Sequence, residues 1–339
     1  MIPSIRSIAA ALLLAATFVA APARAALGPA RSALDPARSA LDDGTKPAQE
    51  KKPVAIYDEN ADVKELIRAA EARAKRENRR VLVQWGGNWC VWCRRLHELC
   101  SNDRSIAKEL FYEYDIVYAD SLKGDKNVEL ASSFGADLKK NGVPFLTVLD
   151  ADGKVLANQE TSALETKVDG QGGHDPKKVL EFLTQHQAPP LDAGEVWTAA
   201  LARAKSQEKR VFLHFGAPWC GWCRKLEAWM AKPEIETIVG KDFIDVKIDV
   251  DRTVGGKDLM ARFRGKGASI PWFALVDADG RVIADSGRGD DNLGFPSTAA
   301  EIDAFASMLE KARAKITPAD VETLKRSLAP PPKEAAKQP

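Results

Sequence analysis

A chain of 339 residues with 45% hydrophobic and 29% charged side chains has the bulk composition of a soluble globular protein and room for two or three domains. Its 49 Lys and Arg are balanced by 48 Asp and Glu. No net field therefore steers it toward nucleic acid or an acidic membrane, and nucleic acid is not an expected partner.

The first residues stand apart from the rest. Arg6 precedes an apolar run from Ile8 to Ala20, and Ala23-Arg24-Ala25 meets the small-residue rule for leader cleavage. The run is shorter than the roughly 20 residues that a bilayer-spanning helix needs. Residues 1–25 are expected to be a signal peptide. The protein is then exported, periplasmic or secreted, where disulfides form and persist. In residues 26–56, Pro29-Ala30-Arg31-Ser32-Ala33-Leu34-Asp35 is followed by a near-copy, Pro36-Ala37-Arg38-Ser39-Ala40-Leu41-Asp42, and then by a polar stretch rich in Lys and Pro. With few large apolar residues it is read as a disordered tether.

Beyond the tether the chain repeats itself. Trp89-Cys90 returns as Trp219-Cys220, and Arg80-Val81-Leu82-Val83 as Arg210-Val211-Phe212-Leu213, both at an offset of 130. Val143-Pro144-Phe145 matches Ile270-Pro271-Trp272, and Leu149-Asp150-Ala151-Asp152-Gly153 matches Val276-Asp277-Ala278-Asp279-Gly280, at an offset of 127. A repeat of this length is a duplicated domain. The expected domains are 57–187 and 188–317, joined near Pro189-Pro190, with 318–339 as a C-terminal tail.

In chain order each copy predicts the same elements. A helix with apolar positions at helical spacing comes first (Asp62 to Lys75; Gly194 to Lys205). A β-branched and apolar strand follows (Val81 to Trp85; Val211 to Phe215). The cysteines then lead into a second helix (Cys93 to Leu99; Cys223 to Met230). Strands are expected at Asp115 to Ala119 and Phe243 to Ile248, and again at Phe145 to Leu149 and Phe273 to Val276. The latter pair turn at Asp-Gly into Lys154 to Ala157 or Arg281 to Ala284, as hairpins. A last helix closes each copy, capped by Asp175-Pro176 in the first and by Ser297 or Thr298 in the second. Gly172-Gly173 and Gly255-Gly256 read as turns. The fold class is α/β: two tandem domains, each a central mixed β-sheet flanked by helices.

Two cysteines three apart at a helix start share one face, within reach of a disulfide. The first sits at the helix N-terminus, where unpaired N–H groups and the macrodipole favour a thiolate. The second lies one turn in and is less exposed, placed to attack a mixed disulfide formed by the first. Cys90 and Cys220 are accordingly the expected nucleophiles, and Cys93 and Cys223 the resolving thiols.

Trp89-Cys90-Val91-Trp92-Cys93 and Trp219-Cys220-Gly221-Trp222-Cys223, each followed downstream by an apolar-Pro pair, resemble the redox site of the thioredoxin superfamily. The resemblance covers about residues 57–186 and 191–316. It implies a thioredoxin-like fold twice over and disulfide exchange with protein thiols and disulfides, with no cofactor. Electrons would then pass to or from a membrane electron donor or reoxidant outside the cytoplasm. It also implies that Pro144 and Pro271 are cis and face the disulfides. Val143, Ile270, Trp89 and Trp219 are counted with them as the residues that meet a substrate chain.

The chain departs from the family pattern in its proton handling. Where the family often has a buried acid six residues before the first cysteine, this chain has Gln84 and His214. Gln84 cannot take a proton; His214 is either a proton acceptor or a satisfied core histidine. A Lys on the next strand often pairs with that acid. Lys247 matches it in the second copy, and Tyr118 stands there in the first. Trp92 and Trp222 either meet substrate or pack on their own domain. Arg94, Arg95, Arg224 and Lys225 either support the thiolates or are solvated helix residues. Cys100 lies about 10 Å along a continuous helix from Cys93, too far for a bridge. It is either a small buried apolar side chain or an intermolecular pairing partner.

Haem attachment needs a His directly after the second cysteine, and Arg94 and Arg224 stand there. A structural zinc site would need the two pairs to converge, yet each opens its own helix, so no metal is expected. The alternative from a different class is a redox-idle binding or chaperone-like module that holds extended chains. Two full dithiol pairs argue against it.

Overall fold

The computed structural model describes residues 55–329, apart from 122, 169, 170, 266, 268 and 290. The expected leader, most of the tether and residues 330–339 lie outside the described residues.

The first domain runs α1 (Val63–Glu77), β1 (Arg80–Gly86), α2 (Val91–Asn102), α3 (Arg104–Glu113), β2 (Tyr114–Asp120), α4 (Val128–Ser133), α5 (Leu138–Asn141), β3 (Phe145–Leu149), β4 (Val155–Glu160), β5 (Glu165–Val168), β6 (Gln171–His174) and α6 (Pro176–His186). The second runs α7 (Ala193–Ser206), β7 (Arg210–Gly216), α8 (Gly221–Met230), α9 (Pro233–Val239), β8 (Phe243–Asp249), α10 (Gly256–Arg264), β9 (Trp272–Val276), β10 (Val282–Asp285), β11 (Gly287–Arg288), β12 (Asp291–Asn292), α11 (Ala299–Ala312) and α12 (Pro318–Leu328).

Each domain has one four-stranded mixed sheet, ordered β2-β1-β3-β4 and β8-β7-β9-β10. β1 pairs in parallel with β2 and antiparallel with β3; β7 does the same with β8 and β9. The central strand is covered on both faces, so it is apolar at successive positions, interrupted at Gln84 in β1 and His214 in β7. Side chains of β1 then alternate between two cores. Val81, Val83 and Trp85 pack with Val63, Ile67, Ala70 and Ala74 of α1. Leu82 packs with Leu96 of α2, Ile106 and Leu110 of α3, and Val179 and Phe182 of α6. By this alternation Gln84, the second residue after Leu82, faces the cysteine-bearing helix. The second domain repeats the arrangement, with Val211 and Leu213 against α7 and Phe212 against α8, α9 and α11.

Helix starts follow their expected caps. Asp175 accepts from the N–H groups of Lys177 and Lys178 ahead of α6, and Thr298 forms a reciprocal capping box with Glu301 on α11. The stretch expected to be a tail holds α12. Val321, Leu324 and Leu328 bury against the second domain's core, Trp229 Nε1 donates to Ser327 Oγ, and Lys241 pairs with Asp320 at 2.7 Å. Helix order therefore continues to Leu328, because one apolar stripe at helical spacing has a core to cover. Gly172-Gly173 lies within β6 rather than in a turn. Gly255 does turn the chain, with φ of +72° at the start of α10. The tether also ends earlier than expected, since Ile56 is already fixed to the domain through Asn88. Among the described residues no helix is long and apolar enough to cross a membrane.

The two domains meet through Arg252, just after β8. Its guanidinium takes both carboxylate oxygens of Glu113 at 2.9 and 2.6 Å and donates to the carbonyls of Glu77 and Asn78, each at 2.8 Å. Asn78 Nδ2 in turn donates to Pro189 O in the connection.

Candidate active sites

Both pairs lie where β1 or β7 hands over to its helix. Cys90 and Cys220 are the N-caps of α2 and α8, and each sulfur accepts the N–H of the cysteine three residues on at 3.1 Å. Both pairs are closed as disulfides, with Cα–Cα distances of 5.3 and 5.2 Å. A thiolate at either first position would keep that N–H and the positive end of the helix dipole. Cys93 and Cys223 lie deeper and are almost fully buried.

The peptide bonds Val143-Pro144 and Ile270-Pro271 are cis. The carbonyls of Val143 and Ile270 stand 3.6 Å from Cys90 Sγ and Cys220 Sγ. Trp89 and Trp219, each next to the first cysteine, leave 47% and 57% of their surface open to solvent. Trp219 is braced by its Nε1 donating to Asp251 Oδ2 at 2.7 Å.

The tryptophans between the cysteines differ in their surroundings. Trp92 is half-buried, with His174 edge-on at 5.6 Å and the β5–β6 hairpin over it, where Arg95 donates to Gly172 O. Burial pulls the His174 imidazole down to about 4, so it is neutral at physiological pH. Trp222 is half-exposed, stacked on Phe295 at 6.3 Å and covered in part by Lys225. The basic residues after the cysteines have other engagements. Arg94 donates to Asn88 O, Arg95 lies over Trp92, and Arg224 lies 5.8 Å from the Phe111 ring.

Beneath the sulfurs the two domains diverge. Strand register places Gln84 opposite Tyr118 and His214 opposite Lys247, as the sequence suggested. The pairing between side chains is different. Lys247 pairs not with the residue at 214 but with Glu227 of α8, at 2.9 Å. His214 is buried beside Asp245, its Nε2 3.1 Å from Oδ1 but off the line of a hydrogen bond. Glu227 follows Cys223 by one helical turn. A Cβ placed on Gly216 would sit 3.4 Å from both Cys223 Sγ and Glu227 Oε1, so thiol and carboxylate share one enclosure. That turn spacing was the available signal for Glu227.

In the first domain the positions of Glu227 and Lys247 are held by His97 and Tyr118, whose Nδ1 and hydroxyl are 3.1 Å apart. Burial pulls the His97 imidazole below its ordinary value and pushes the Tyr118 hydroxyl up to about 12. Gln84 Nε2 donates at 2.7 Å to the hydroxyl of Tyr57, a residue ahead of α1 that packs directly on Cys90 and Cys93. No local pattern marks Tyr57, because its partners lie 27 or more residues away. Cys100 turns toward the core with Leu82 and Leu96, where burial pushes its thiol up to about 12. Among the described residues no three His, Cys, Asp or Glu side chains converge to hold a metal ion.

Family models agree with this architecture. Residues 67–167 match a thioredoxin-like domain, and residues 193–278 match a second thioredoxin-like model. A protein disulfide-isomerase of Neurospora crassa, erp38, is 25% identical over 185 residues, spanning 52% of this chain and 45% of the relative's own length. A disulphide isomerase from Xylella fastidiosa Temecula1 is 26% identical and covers 39% of this chain and 97% of its own, with a TM-score of 0.34. The C-terminal domain of Neisseria meningitidis DsbD is 24% identical, covers 37% of this chain and 100% of its own, and has a TM-score of 0.27. The chain belongs to the thioredoxin superfamily and carries two of its domains in tandem.

Proposed function

We propose that this protein is an extracytoplasmic thiol–disulfide oxidoreductase, acting on protein substrates by reductase- or isomerase-type exchange at both Cys-x-x-Cys pairs. One observation carries this. In each domain a cysteine sulfur caps a helix N-terminus and faces the carbonyl before a cis proline, with a buried second cysteine one turn below.

The chemistry follows from that placement. The Cys90 or Cys220 thiolate attacks a client disulfide. A sulfur–sulfur bond forms to the client, the client's own disulfide breaks, and its other sulfur leaves as a thiolate that takes up a proton. Cys93 or Cys223, deprotonated, then attacks the first cysteine's sulfur. The internal disulfide closes and the client's second thiol is released. The client gains two electrons and the chain loses two; the reverse sequence oxidises a client. At the second site Glu227 is placed to take the Cys223 proton, with Lys247 holding the carboxylate. The exposed rings of Trp89 and Trp219 and the backbone at Val143-Pro144 and Ile270-Pro271 would hold the client chain against the sulfurs.

Export is supported by the apolar run Ile8 to Ala20 with Ala23-Arg24-Ala25 behind it. A redox partner outside the cytoplasm, such as a membrane electron donor or reoxidant, would then restore the pairs. Two experiments test these statements. Cys93→Ser and Cys223→Ser variants should accumulate mixed disulfides with a mispaired client protein at Cys90 and Cys220. If neither variant captures a client while the protein still binds unfolded chains, exchange is excluded. N-terminal sequencing of the protein recovered from an expressing cell should begin after Ala25, and an intact leader would exclude cleavage.

A further inference from the structure

The first exchange site contains a group that its own Cys-x-x-Cys helix does not supply. Tyr57 lies in the segment before α1 and is 1% exposed. The segment is clasped by the loop that leads to Cys90. Asn88 Oδ1 accepts from the N–H groups of Ile56 at 2.8 Å and Tyr57 at 3.1 Å, and Asn88 Nδ2 donates to Tyr57 O at 2.8 Å. The strap is thus fastened two residues from the nucleophile.

The clasp delivers the phenol to the resolving sulfur. A Cβ placed on Gly86 would stand 2.7 Å from Cys93 Sγ, and the Tyr57 hydroxyl would be nearer still. Hydroxyl and sulfur therefore lie together at the end of β1. Gln84 Nε2 already donates to the phenol oxygen at 2.7 Å. That bond occupies a lone pair and leaves the phenol's own proton free. Among the described residues, no other hydrogen bond engages this oxygen. Desolvation pushes the Tyr57 hydroxyl well above its ordinary value, so it stays protonated and remains a donor. The other titratable groups that act on it are Tyr118, Asp120 and Cys100.

We propose that the Tyr57 hydroxyl donates a hydrogen bond to the Cys93 sulfur when the first pair is reduced, with Gln84 and Asn88 as positioning residues. This rests on the exchange function proposed above. A thiolate accepts a hydrogen bond far better than a disulfide sulfur does, so the donor stabilises the reduced pair. It holds the Cys93 thiolate without taking its proton, which goes to the departing client thiolate or to water. The second domain is built otherwise. Pro218 stands in place of Asn88 and His214 in place of Gln84, and the space beside Gly216 faces the Glu227 carboxylate. One site thus offers its resolving sulfur a neutral donor and the other a proton acceptor.

The test uses the full chain carrying Cys220→Ser and Cys223→Ser, so that only the first pair exchanges. It is compared with the same chain carrying Tyr57→Phe, which keeps the ring and removes the hydroxyl. Both are equilibrated with reduced and oxidised glutathione, and the rate at which Cys93 resolves the Cys90–glutathione mixed disulfide is followed against pH. The expected result is a shift of the equilibrium toward the disulfide on the order of tenfold, the scale of one hydrogen bond to a charged group. The resolution profile should also move to higher pH. Asn88→Ala, which loosens the strap and leaves the tyrosine in place, should shift both in the same direction. A Tyr57→Phe chain whose equilibrium and pH profile match the parent's overturns the assignment. Loss of thermal stability with an unmoved profile also overturns it, since packing alone would do that. If the parent pair does not exchange with glutathione at all, the exchange function itself falls.

Discussion

Arg252→Met removes the cation that ties the domains together while keeping an unbranched apolar stem. The Arg252 and Glu113 side chains are 11% and 14% exposed, so this is a nearly buried pair. Burial alone would lower the Arg252 proton affinity, and the hydrogen bond and charge of Glu113 more than restore it, so the guanidinium keeps its proton. The substitution leaves one carboxylate desolvated without its cation and two carbonyls, of Glu77 and Asn78, without their donor. Breaking a buried pair from one side costs about 3–5 kcal/mol. Arg252→Lys keeps the charge but cannot span Glu113 and both carbonyls at once, and should lose a smaller part of that stability. Glu113→Gln added to Arg252→Met removes the orphaned charge and should recover part of the loss. Urea unfolding followed by tryptophan fluorescence measures all three, and the single variant should separate into two domain transitions. A cost for Arg252→Met below about 0.5 kcal/mol, as for a solvent-screened pair, would refute the claim that Arg252 ties the domains together.

Other substitutions probe the sites and the added helix. Gly86→Ala sets a methyl group 2.7 Å from Cys93 Sγ and against Tyr57, and should cost about 1–3 kcal/mol. Gly216→Ala meets Cys223 Cβ at 3.1 Å and should cost less, which thermal unfolding of the two variants will rank. The Lys241 hydrogen bond, with Thr317, draws the Asp320 carboxyl down to about 2 from an ordinary 3.8. Because the carboxyl is depressed, its contribution to docking α12 is full above the ordinary value and is lost as pH falls toward 2. Acid unfolding of an Asp320→Asn variant should lack this part of the slope. Cys100, with its thiol pushed up to about 12, should resist iodoacetamide at pH 8 in the folded oxidised chain and react once urea is added.

The sheet and the cysteine helices were legible because their signals are local. Val81-Leu82-Val83 and Val211-Phe212-Leu213 are apolar on both faces, as a central strand must be. Asp150 and Asp277 turn the hairpins, each accepting from backbone N–H groups two and four residues on. The cap at Asp175 and the sulfur caps at Cys90 and Cys220 depend on neighbours within three residues. What remained hidden depends on contacts across the fold. Lys247 faces His214 by register, yet its ammonium reaches Glu227, because α8 crosses that face of the sheet. Tyr57 reaches the first site through Asn88, Gln84 and its packing on the two cysteines, all of them distant in sequence. α12 is an intermediate case. Thr317-Pro318 with Asp320 is a legible helix start, and Val321, Leu324 and Leu328 form a stripe, but the terminal Pro run drew the whole segment into a tail.

Electron transfer counted on both partners tests the proposed exchange most directly. The chain is reduced, freed of reductant and mixed with a protein that carries a single disulfide, and all thiols are then alkylated and mapped by peptide mass. For each client disulfide opened, one pair should be lost as thiols from Cys90/Cys93 or Cys220/Cys223 and recovered as the internal disulfide. Chain pairs that stay reduced while the client disulfide stays closed would contradict exchange, and would leave two folded domains whose cysteines only brace them.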